Sequence, residues 1–198
     1  ITLVTYNSPI FATRLSSQAL TTSQVKQLLY QWKDFSNYLD KNARDQLRIK
    51  TPAVFLERRD VLDQKKLTNY FGYKNLLSDA KFTSAIKKSK IIICTYPQTT
   101  LSESIFSGIP TILLMKEDFF EIIDLHKKVI DILKEAEIYH TCSKTAAKHI
   151  NKIYNNPLLW WNSDICREAI HEFKKICLTE NKKPIEAWSD FFINLKNE

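Results

Sequence analysis

Glycine is nearly missing from this chain: Gly72 and Gly108 are the only two in 198 residues. A Walker loop and a dinucleotide fingerprint both need clustered glycines, because the backbone must approach phosphate closely, so neither motif is possible. Cysteine is also sparse. Cys94, Cys142, Cys166 and Cys177 show no C-x-x-C spacing, which excludes a zinc ribbon and a thioredoxin-type redox motif. Cys166 and Cys177 fall on one expected helix, about three turns apart and out of bridging range. Reduced thiols in a cytosolic protein are the expectation. No apolar run is long enough to span a bilayer, and no signal peptide is recognisable. His126, His140, His149 and His171 stand on separate elements without an H-E-x-x-H pattern, so no metal site is expected. Repeats and low-complexity tracts are lacking as well.

What is present is a folding composition. Hydrophobic residues make up 44% and aromatics 12%, enough for a substantial core in one domain over residues 1–198. The net charge of +7, from 29 basic against 22 acidic side chains, suits anionic partners such as nucleotides, sugar phosphates or a membrane surface. Lysine pairs such as Lys87-Lys88 and Lys127-Lys128 either touch anionic lipid or simply solubilise helices. No recognition-helix signature for nucleic acid is visible, so no nucleic-acid partner is expected. The chain begins without Met, inside the apolar run ITLVTY, which suggests a piece of a longer protein.

Elements alternate along the chain. Residues 1–6 read as a strand. Residues 21–39 read as a helix with Val25, Leu28, Leu29, Trp32, Phe35 and Leu39 on one face and a Thr21-x-x-Gln24 capping box. Short strands are expected at 47–50, 75–77 and 138–141, with helices at 61–70, 81–88, 126–137, 145–154, 164–178 and 185–195. Strands separated by helices imply a parallel, right-handed, Rossmann-like doubly wound α/β sheet. The helices of residues 157–198 are expected to pack back on it, with Trp160, Trp161, Trp188, Phe191 and Phe192 as the adhesive.

The most informative stretch is 91–115, IIICTYPQTTLSESIFSGIPTILLM. A β-branched apolar run has the character of a buried parallel strand. Beyond Pro97, Thr99-Thr100-Leu101-Ser102-Glu103 opens a short helix at that strand's carboxyl end, where open α/β sheets bind ligands. Unpaired N–H groups and the helix macrodipole favour an anion there, and Thr99, Thr100 and Ser102 add hydroxyl donors. Glu103 is able to accept from sugar hydroxyls. The same spacing also fits a plain capping box, Thr100-x-x-Glu103, in which Glu103 serves only the helix start. Asp118 and Glu121, after the following strand, are able to coordinate a cation or meet ligand hydroxyls, though loop solvation is the simpler expectation.

This order of elements resembles the C-terminal half of GT-B glycosyltransferases. More closely, it is similar to a family of bacterial transferases associated with O-antigen and other surface-carbohydrate biosynthesis. The likeness rests on TYNSPIFATRLSSQ, KKSKIIICTYPQTTLSESIFSGIPTI, HKKVIDILKEAEIYHTCSKTAAKHINKIYNN and WWNSDICREAIHEFKK. The resemblance implies a cytoplasmic donor-binding domain, peripheral at the inner membrane face, that takes a nucleotide-sugar donor and needs no separate cofactor. Thr99, Thr100 and Ser102 would meet the donor phosphates and Glu103 the ribose. Arg14, with Ser16 and Ser17, would face the same cleft and neutralise diphosphate charge, a task suited to a planar guanidinium. A separate N-terminal half would bind the carbohydrate or lipid-linked acceptor. The segment TPAVFLERR departs from the family's pattern, so base recognition has no assigned residue. The same fold also serves nucleotide-sugar epimerases and polyol-phosphate transferases, and a non-catalytic interaction module is the remaining alternative.

Overall fold

A computed structural model of the protein describes residues 1–6, 20–51, 64–77, 81–177 and 183–195. Its centre is a five-stranded, all-parallel sheet in the order β2-β1-β3-β4-β5. The strands are β1 (Thr2–Val4), β2 (Arg48–Lys50), β3 (Ile92–Cys94), β4 (Thr111–Leu114) and β5 (Tyr139–His140). Leu3 pairs with Ile49 on one side and Ile93 on the other, and Ile93 with Ile112. Such apolar runs belong to a sheet covered on both faces.

Alternation along each strand sorts the core into two layers. Leu3, Ile49, Ile93, Ile112 and Leu114 point to one side. There they meet α1 (Thr22–Tyr38) and α7 (Ser143–Ile153), with Trp32 and Phe35 fully enclosed. Val4, Ile92, Cys94, Leu113 and Met115 point to the other. They meet α5 (Thr99–Phe106), α6 (Asp124–Glu135) and α9 (Asp164–Cys177). The protein is thus a Rossmann-like, doubly wound α/β fold. The α1 entry forms the anticipated capping box: Gln24 N–H donates to Thr21 Oγ1 at 3.4 Å and Thr21 N–H to Gln24 Oε1 at 2.8 Å.

Differences from expectation are local. Two helices carry no periodic signal and are single turns, α2 (Lys41–Asp45) and α8 (Pro157–Trp161). Helix α3 spans Gln64–Phe71; α4 is Phe82–Lys87. The strand expected at 75–77 is instead a 3-10 turn, Tyr73–Asn75, leaving only a bridge between Leu76 and Ile49. Gly72, at φ +78°, ends α3 and begins that turn in a backbone conformation that disfavours a side chain.

The closing segments divide. Trp161, Cys166, Ala169 and Phe173 are buried, and Trp160 Nε1 donates to the Ala136 carbonyl at 3.0 Å. The last helix, α10 (Pro184–Leu195), instead keeps Ile185, Trp188, Phe191, Phe192 and Leu195 exposed. Its rings stack on one another, Trp188 on Phe192 at 5.6 Å, as i and i+4 residues of a helix do. Phe192→Ala therefore changes stability by no more than about 0.5 kcal/mol, the usual range for surface sites. Thermal unfolding of the variant checks this, and a loss of core size there contradicts the exposure. Among the described residues no helix is long and apolar enough to cross a membrane.

Candidate functional site

Strand order reverses between β1 and β3, a switch point of the kind at whose carboxyl ends open α/β sheets bind ligands. Thr95 Oγ1 locks the two strands together there by donating to the Val4 carbonyl at 2.8 Å. Tyr6 and Tyr96 follow directly, ring centroids 5.4 Å apart, and Phe120 joins at 6.5 Å from Tyr6. Burial raises the Tyr96 phenol pKa, so that ring is uncharged at neutral pH.

Helix α5 starts beyond Pro97. Its N-cap is Gln98, extended at φ −125°, and no side chain caps it. The capping box Thr100-x-x-Glu103 is therefore not formed. Thr100 is the second helical residue, and a box requires its hydroxyl on a non-helical N-cap. Glu103 is exposed and its carboxylate engages no hydrogen bond or ion pair among the described residues. The first turn keeps unpaired N–H groups and the positive end of the dipole.

A cavity of about 760 Å³ opens on this turn, floored by Pro97, Gln98, Thr99 and Ser102 and walled by Phe120, Glu121 and Ile123. Its far end runs between α6 and α9, past His126, Ile130 and Phe173. The four α5 candidates separate here. Thr99 and Ser102 line the cavity; Thr100 and Glu103 do not. The Thr100 hydroxyl is shut away from solvent with no aligned partner. Ser104, which sequence reasoning passed over, donates to the Thr100 carbonyl at 2.6 Å and seats the turn on β3 beside Cys94. Burial pushes the Cys94 thiol up to about 12, so it is inert.

Arg14, Ser16 and Ser17 lie outside the described residues. Glu121 reaches the cavity wall, whereas Asp118 sits exposed in the 3-10 turn Glu117–Phe119. His140 lies on the edge strand, two strands from β3, with its Nε2 2.8 Å from the Glu137 carbonyl oxygen. Among the described residues no group of three or more His, Cys, Asp or Glu is placed to hold a metal ion. All four cysteines are free. Pro97, Gln98, Phe120 and His126 join the site only through the fold; a turn proline and a loop aromatic carry no such signal in sequence.

The model of the LIC12162 family transferase matches residues 1–192. No curated protein and no solved structure gives a significant match.

Proposed function

Since the chain belongs to the LIC12162 family of transferases, we propose that it is the donor-binding domain of a glycosyltransferase of bacterial surface-polysaccharide synthesis. The donor is a nucleotide-diphosphate sugar. Its diphosphate rests on the uncapped first turn of α5, against Thr99 and Ser102, and the sugar and nucleoside extend along the cavity. Arg14, Ser16 and Ser17, which follow β1 in sequence, supply further charge and donors. Glu103 stands outside that cavity and takes no part in this arrangement. A separate domain presents the carbohydrate or lipid-linked acceptor.

The observation that carries this reading is an open cavity beside the turn from β3 into α5, ending on uncapped helix amides. Transfer breaks the bond between the anomeric carbon and the diphosphate oxygen, so negative charge builds on the departing group. Fixed dipoles aimed at that charge lower the barrier without reorganising. A helix terminus and an arginine perform this task for a phosphate leaving group without a cation.

Titration calorimetry with UDP-, GDP- and CDP-sugars tests the reading. Saturable heat with one nucleotide class, competed by the free nucleoside diphosphate, is the expected result. Folded protein giving no heat with any of them overturns it.

A further inference from the structure

A second cavity, of about 780 Å³, follows the open edge of β5 between α6 and α7. It lies two strands from the switch point and shares no residue with the α5 cavity. Glu117 and Lys134 flank one side, Tyr139 to Thr141 form the floor, and Thr145, Lys148, His149 and Lys152 line the other. The four α7 residues share one face by their i, i+3, i+4, i+7 spacing.

Three features set this cavity apart from a chance groove. First, polar atoms in its lining lack partners. The Tyr139 hydroxyl and His149 Nε2 are buried without a hydrogen bond, in residues only 3% exposed. Buried polar atoms of this kind are uncommon and costly. Second, Glu137 has a left-handed backbone at φ 56°, the one positive-φ residue other than glycine among those described. It directly follows α6, where Ile138 N–H returns to the Leu133 carbonyl at 2.9 Å, a position glycine ordinarily fills. A glutamate there accepts strain of about 1 kcal/mol, and its carboxylate lands 3.3 Å from His149 Nδ1. Third, Lys148 and Lys152 make no ion pair among the described residues, whereas Lys134 is held by Glu117.

We infer that this edge cavity is a second ligand site, built for a hydroxylated anion of sugar-phosphate or sugar-acid size. Lys148 and Lys152 attract the anion. The Tyr139 hydroxyl donates to it, and Glu137, His149 Nε2 and the threonine hydroxyls accept from its hydroxyl groups. The volume exceeds what inorganic phosphate needs and falls in the range of small-molecule pockets. The inference stands apart from the diphosphate site on α5, since no side chain is common to both.

Calorimetry on the full chain with glucose 1-phosphate, glucuronate, glucose and inorganic phosphate tests it. Saturable binding of glucose 1-phosphate or glucuronate, at least tenfold tighter than glucose or phosphate, is expected; which of the two wins tells a phosphate from a carboxylate source. Tyr139→Phe and Lys148→Ala/Lys152→Ala each weaken it at least tenfold. Glu137→Gly also weakens it while leaving the melting temperature unchanged or raised, because the backbone strain is relieved. Ser102→Glu leaves it intact, so its failure and that of the α5 site are distinguishable. No binding by folded protein, equal binding of glucose or phosphate, or affinity that survives the lysine pair replacement overturns the site.

Discussion

Acidification from pH 6.5 to pH 4 lowers the stability of this protein by about 3 kcal/mol, and His149→Gln removes most of that slope. The expectation comes from burial. The His149 side chain is 1% exposed, and its pKa is held down near 4 against an ordinary 6.5. Desolvation is the largest cause; His140 and Lys152 push the same way, and Glu137 opposes them. An unfolded chain takes up the proton near 6.5, the folded one only near 4. Between those values the unfolded state binds more protons, so stability falls as pH falls. Above 6.5 both states are neutral and the slope vanishes. About 2.5 pH units at roughly 1.36 kcal/mol per unit give the magnitude. His140, also lowered by burial, adds in the same direction. Urea unfolding at stepped pH measures the effect. A slope unaltered in His149→Gln assigns the acid sensitivity to other groups.

Ser102→Glu abolishes nucleotide-sugar binding, with a loss of at least 100-fold, and does not lower the melting temperature. Ser102 is half-buried and lines the α5 cavity, so the new carboxylate occupies the place proposed for the diphosphate. A negative charge in the first turn of a helix is itself stabilising, by about 0.3–1 kcal/mol. Binding and stability therefore part company, which a folding defect cannot produce. Calorimetry paired with thermal melts reads both. Retained affinity in this variant places the donor elsewhere.

The elements that were legible in sequence are those whose pattern exceeds one turn or one pleat. The α1 stripe from Val25 to Leu39 and its Thr21–Gln24 cap are written over several turns, and the β-branched runs at Ile92 and Thr111 are closed on both sides by turn residues. Helices α2 and α8 are five residues each, too short for a 3.6-residue period to show. The α5 start at Thr99 is legible, whereas the Thr100-x-x-Glu103 capping box does not form. Gln98, in extended backbone, is the N-cap, and Thr100 lies within the helix, where its hydroxyl cannot cap. Half of the candidate site could not be read at all: Tyr6, Tyr96 and Phe120 meet only once β1, β3 and β4 are side by side. Glu137 shows the limit most clearly, since nothing in KEAEIYH marks a glutamate held in a glycine's conformation.

The solvent-facing aromatics of Pro184–Leu195 have one further consequence. Because they share no packing with the sheet, folding places little demand on their identity. A chain with a polar version of this tract keeps its architecture while its colloidal behaviour changes.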